Sequence, residues 1–211
     1  MSRRRQCSIC GSDLGNPCLE CHELLLSAPL LPHQDFINEV PPVLVELHAA
    51  LIYEGVGRLL VSRLKHESAR SSVSWLSEAM AQRAWHIKTP IDVVSWAPTL
   101  RSHRQKRGFD HSRLLAVGVA RRLGVAWHPL LRRHGSTSQT GLSGRERRQL
   151  VEQAHRTFSL AGRARGLNVL LIDDVATTTS TLQAAASVLQ SGGASSVIGL
   201  VGAITPKAKQ L

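Results

Sequence analysis

Val169–Thr181, VLLIDDVATTTST, begins with four continuous apolar residues, the pattern of a strand buried on both faces. Two carboxylates, Asp173 and Asp174, come at its end. A run of hydroxyl side chains, Thr177, Thr178, Thr179, Ser180 and Thr181, then opens a stretch of helical spacing that Gly192 and Gly193 close. The opening of a helix presents free N–H groups and the positive end of the macrodipole, both suited to a phosphate. Small hydroxyl residues add donors without blocking approach to the backbone. Paired aspartates suit the diol of a ribose, or a magnesium ion with its water shell. Serine, threonine and aspartate also simply start helices. Strand, acid pair, hydroxyl run and helix in succession point instead to a ligand site at the carboxyl edge of a sheet.

The flanking sequence supplies the rest of that sheet. LVELHAALIY (44–53), IDVVSWAP (91–98), VAWHPLL (125–131) and SVIGLVGAI (196–204) are short apolar runs. Helical spacing covers 55–86 and 112–123, the latter closed by Gly124. Apolar runs alternating with helices predict an α/β fold with a mostly parallel sheet and helices on both faces. The chain has 211 residues and is 43% hydrophobic, enough for a self-supporting core and too apolar for disorder.

All four cysteines fall in the first 21 residues as two CxxC pairs, Cys7 with Cys10 and Cys18 with Cys21, separated by seven residues. Two such pairs can place four thiolates in a tetrahedron around one metal. Zinc is the default, and iron fits the same ligands. Two disulfides or four unligated thiols are the alternatives. With every position a ligand, the site is closed and structural, and the adjacent His22 is a surface residue. Residues 1–28 are expected to form this metal-binding segment and 29–211 the main domain, with Pro29, Pro32, Pro41 and Pro42 marking the entry to it. The remaining residues hold no cysteine, which argues against a secreted disulfide framework. No run of 18 apolar residues suggests a membrane span, and MSRRRQCSIC lacks the apolar stretch of a signal peptide. A soluble protein of the reducing cytoplasm is expected.

Twenty-six Lys and Arg against 15 Asp and Glu give a formal charge of +11, which favours polyanionic partners without choosing among them. Much of it lies in two loops, RSHRQKRGFDH (101–111) and the polar stretch 132–156. Either could be a solvated face or a phosphate contact, and the second could also track nucleic acid. Stacking of bases would need exposed aromatics. Trp75 and Trp85 fit helix packing, and Trp96 and Trp127 fit the core. His103 and His111 lie near the expected site without a marked partner.

Val169–Thr181 resembles the phosphoribosyl pyrophosphate (PRPP) loop of type I phosphoribosyltransferases. Further segments narrow the resemblance to the ComF family of competence-associated proteins. They are Tyr53 with Gly57 and Leu64–Lys65–His66, Val94–Pro98 running to Arg107–Gly108–Phe109–Asp110, Gln139–Thr140–Gly141–Leu142–Ser143, and the double CxxC. The resemblance covers nearly the whole chain in order. It implies a type I phosphoribosyltransferase-like sheet with a small N-terminal zinc ribbon. Asp173 and Asp174 would hold the ribose hydroxyls, and Thr177, Thr178, Thr179, Ser180 and Thr181 would form the loop around the 5′-phosphate. Lys65, Arg101, Arg104 and Arg107 would face pyrophosphate, and Arg145 and Arg148 would lie in a hood loop closing over the substrate. Magnesium would accompany PRPP. Transferase chemistry of nucleoside metabolism, DNA uptake, and single-stranded DNA or competence and helicase proteins as partners are further implications. Thr179 stands where the family has glycine, Ser95–Trp96 replaces small residues or proline, and the hood lacks an asparagine after its arginines. An active transferase and a binding or scaffold protein without turnover both remain open.

Overall fold

The computed structural model describes residues 6–7, 9–13, 18–21, 23, 43–66, 70–100, 108–134 and 157–205. Its elements run β1 (Glu46–Ile52), α1 (Gly55–His66), α2 (Arg70–Ala84), β2 (Val93–Trp96), α3 (His111–Leu123), β3 (Ala126–Trp127), β4 (Leu131–Arg133), β5 (Phe158–Leu160), β6 (Asn168–Ala176), α4 (Ser180–Ser191) and β7 (Ser196–Ile204). Five strands form one sheet in the order β1-β7-β6-β2-β3. Every pairing in it is parallel. β4 and β5 form a separate antiparallel pair.

The strands at the centre read as continuous apolar runs because both faces are covered. Leu170 and Ile172 of β6, with Ile198 and Leu200 of β7, pack toward α1, α2 and α3. Val169 and Leu171, with Val197 and Val201, pack toward α4 and the β4–β5 pair. All nine residues of β7 are buried. Successive side chains of a strand point to opposite faces, so uninterrupted hydrophobicity is what a two-sided core requires. Cys7, Ile9, Cys18 and Cys21 join the core on the α1–α3 side.

The chain leaves β2 and β6 in opposite directions. From β2 it passes through α3 to β3, and from β6 through α4 to β7 on the other side. A crevice opens at the carboxyl ends of strands where the order reverses in this way. β2 ends its ladder at Trp96 opposite Ile172. β6 continues through Asp173 to Ala176 alongside β7. The acid pair thus lies just past the end of β2.

Three expectations are corrected. The helical stretch 55–86 is two helices, α1 and α2, with 67–69 outside the described residues. The run VAWHPLL does not form one strand. Proline has no N–H to give a ladder, and Pro129 separates β3 from β4, which pairs with the unanticipated β5. Trp85, expected to pack, is 69% exposed just past the end of α2. Trp96 is buried and stands 6.3 Å from Trp127, ring centre to ring centre. No described helix is long and apolar enough to cross a membrane.

Candidate ligand site at the carboxyl edge

Asp173 is buried, and its Oδ1 accepts two hydrogen bonds, from Ser112 Oγ and from the Asp174 N–H, both at 2.9 Å. Asp174 Oδ1 accepts from the Val175 N–H at 2.8 Å. Burial pushes the Asp173 carboxyl up to about 7, and the neighbouring Asp174 charge adds to the rise. The Ser112 and Asp174 donors and the Arg133 charge oppose it. A carboxylate held in this state gains from any cation or hydroxyl donor that arrives beside it.

Asp110 caps α3. Its side chain accepts from the Arg113 N–H at 3.3 Å, and from the Thr99 N–H and hydroxyl at 3.2 Å each. One carboxylate therefore ties the segment after β2 to the first turn of α3. That turn delivers Ser112 to Asp173. Arg133, on β4, reaches the same corner. Its Nη1 donates to the Pro98 carbonyl at 3.3 Å, and its guanidinium carbon lies 5.2 Å from the centre of the Phe158 ring. Burial lowers its basicity, while the Asp173 and Asp110 charges favour the cation. Its Nε finds no hydrogen-bond partner among the described residues.

The hydroxyl loop follows at once. Thr177, Thr178 and Ser180 are exposed and Thr181 is half-buried. Thr178 Oγ1 and Ser180 Oγ are 2.9 Å apart. Thr179 has φ 57° and ψ −3°, and no other non-glycine among the described residues has positive φ. It occupies the N-cap of α4, yet its side chain makes no capping bond. The loop therefore keeps at threonine the left-handed backbone for which glycine is the usual residue. Helix capping alone does not account for this conformation.

The other expected residues fall less completely into view. Lys65 belongs to the last turn of α1. Arg101, His103, Arg104 and Arg107 fall in 101–107, and Arg145 and Arg148 in 135–156, outside the described residues. His111 is buried at the start of α3, edge-on to Phe109 with ring centres 4.8 Å apart. Ser112 carried no assigned role in the sequence, and Arg133 was read only as one of the arginines of the polar stretch 132–156. The signal for Arg133 was its place beside the apolar Leu130–Leu131 rather than its membership of a charge run.

The four cysteines do converge. Their Sγ atoms all lie within 4.8 Å of one another, with Cys10 and Cys18 3.6 Å apart. A tetrahedron with metal–sulfur bonds of about 2.3 Å has sulfurs about 3.8 Å apart, so this set fits a four-coordinate metal. All four are free thiols, with Cys7, Cys18 and Cys21 buried and Cys10 exposed. The Ile9 and Cys18 N–H groups point at Cys7 Sγ at 3.4 and 3.3 Å. Burial raises the Cys7 thiol, but backbone donors from Cys10, Cys18 and Ile9 outweigh it and bring it to about 6. Burial and the three neighbouring thiols push Cys21 upward. Four thiolates this close repel one another unless a cation sits among them.

Fold and site together define an α/β protein with a parallel sheet, an acid pair and hydroxyl loop at its switch point, and a cysteine cluster able to hold a metal. No family model matches the sequence. The chain is 30% identical over 197 residues to DNA utilization protein YhgH of Salmonella typhi, covering 90% of this chain and 80% of that one. It is 26% identical over 200 residues to the protein of that name in Escherichia coli K12, at the same coverage. Among solved structures, the glutamine PRPP amidotransferase of B. subtilis, complexed with ADP and GMP, gives a TM-score of 0.48 at 21% identity. That match covers 67% of this chain and 30% of the larger protein. The chain belongs to the family of DNA utilization protein YhgH.

Proposed function

We propose that this protein binds PRPP or a related phosphoribosyl ligand, with magnesium, in the crevice between β2 and β6, and that it serves DNA utilization in the setting of DNA uptake. The observation that carries the reading is the β6–α4 connection. Two adjacent carboxylates lie near the carboxyl end of a buried strand, and a solvent-facing hydroxyl loop follows with a left-handed residue at its turn. Asp173 and Asp174 take the ribose hydroxyls. Thr177, Thr178, Ser180 and Thr181, with the backbone N–H groups around Thr179, take the 5′-phosphate. Arg133 supplies positive charge at the same corner. Lys65, Arg101, Arg104 and Arg107 face pyrophosphate, and Arg145 and Arg148 belong to the covering hood. Bound magnesium would offset charge on the pyrophosphate.

In a transferase of this kind, pyrophosphate leaves C1 of the ribose as positive charge develops there, and no protein nucleophile is needed. Catalysis then rests on positioning and on neutralising the leaving group. Pyrophosphate release measured across nucleobases, with PRPP and magnesium present, tests turnover. Release with one base names the acceptor, and saturable binding without release identifies a binding protein. Absence of both would end the phosphoribosyl reading.

The four cysteines hold zinc as a closed structural centre, a reading supported by the fit of their spacing to four-sulfur coordination. A second functional reading, a scaffold that docks single-stranded DNA, draws on one observation. Trp85 is an exposed aromatic close in sequence to Lys88, also exposed, in a chain of charge +11. Aromatic stacking beside cations suits single strands. Affinity for an oligonucleotide that falls with salt and with Trp85→Ala would support it.

A further inference from the structure

Arg63 lies on α1, 56 residues from Cys7, and its Nη1 donates to the Cys7 carbonyl at 3.1 Å. The same carbonyl accepts the Gly11 N–H at 2.9 Å, closing the turn of the first CxxC pair. The guanidinium lies directly over Gly11. A side chain there would collide with Arg63 Nη2, and its Cβ would come within 3.2 Å of Cζ. Gly11 also has φ 85°, so this turn needs glycine twice, for its backbone and for the space the arginine fills. Nothing in a CxxC pattern calls for an arginine from a distant helix.

Charge gives this contact a chemical meaning. A divalent metal held by four thiolates leaves two negative charges on the group, buried on three of its four ligands. Partners outside the ligand shell orient ligands and tune such centres. We propose that Arg63 is the outer-shell cation of the four-cysteine centre. It locks the first CxxC turn onto α1 through the Cys7 carbonyl and offsets the charge of the metal–thiolate group. Arg63 is a positioning residue, not a ligand, and the inference rests on the metal reading above.

The test uses the full chain with zinc measured by elemental analysis. Zinc transfer to a chromophoric chelator is timed for the wild type, Arg63→Ala, Arg63→Gln, Arg63→Lys and, as a control on the same helix, the exposed Arg58→Ala. Loss of an outer-shell partner weakens metal binding by roughly 10–100-fold. Release from Arg63→Ala is expected to be faster by about tenfold or more. Arg63→Gln keeps a donor without charge and Arg63→Lys keeps charge without the fork, so both should fall between. Arg58→Ala should match the wild type. The cobalt-substituted protein adds a readout that loss of packing would not mimic. Its thiolate-to-metal absorption should shift in Arg63→Ala and be partly restored in Arg63→Lys. Should Arg63→Ala fail to fold, Arg63→Gln and Arg63→Lys decide. Wild-type release rates and cobalt spectra in the variants would overturn the role of Arg63 and leave the metal centre standing. A wild-type protein that binds no metal would overturn the centre itself.

Discussion

Thr179 holds a left-handed backbone that β-branched residues resist, at a cost on the order of 1 kcal/mol. Replacement by glycine should raise the unfolding free energy by about 1 kcal/mol in a denaturant titration. An unchanged or lower value would mean that the left-handed turn is not what the chain adopts in solution. Asp173 sets a second residue-scale expectation. Its folded value of about 7 lies above the ordinary aspartate value of about 3.9. Between these values the folded protein keeps a proton that the unfolded chain has released. Raising the pH through this window therefore lowers stability, and the loss levels off above it. Asp173→Asn keeps an oxygen to accept the Ser112 hydroxyl and carries no charge. Its stability relative to wild type should grow from pH 4 to pH 7, and a flat difference across that range would contradict the burial of the carboxylate. Ligand or magnesium binding should displace the proton and release it to solvent.

Among the elements, β6 and β7 were legible in the sequence because burial on both faces leaves no polar residue to interrupt them until the aspartates. The helix opening at Ser180 was legible from the hydroxyl run, and α3 from Gly124, whose φ of 68° closes it. Short elements were not. β5 is three residues in which only Phe158 is buried, so no periodicity could announce it. β4 was hidden because it straddles two readings, with Leu131 ending an apolar run that Pro129 divides and Arg132 and Arg133 opening the polar stretch 132–156. The position of Arg133 was lost with them, since only the β4–β5 pairing sets Arg133 opposite Phe158. Trp85 was misread because an aromatic at helical spacing suggests packing, and the helix ends one residue before it. The fully buried Phe158 joins the core on the α4 side and underlies the Arg133 guanidinium. Phe158→Ala should cost about 3–5 kcal/mol of stability. It should also weaken phosphoribosyl binding more than its effect on folding explains, because Arg133 loses the surface that holds it. Equal ligand affinity in the folded fraction would separate Arg133 from the site.

At the scale of the whole molecule, the positive charge and the cysteines play different parts. Arg133 brings part of the charge to the carboxyl edge of the sheet. The cysteine cluster shares a core with α1, α2 and α3, and Arg63 joins it to the helix whose last turn contains Lys65. The sheet itself places the acid pair: β2 stops, β6 runs on, and the switch between them leaves Asp173 and Asp174 at an edge with the hydroxyl loop beyond. Calorimetric titration of PRPP with magnesium into the wild type and into Asp173→Asn/Asp174→Asn, both checked for intact folding, bears most directly on this placement. Saturable binding by the wild type and its loss in the double variant are predicted. Equal affinity in the two proteins, or no binding by either, would contradict it.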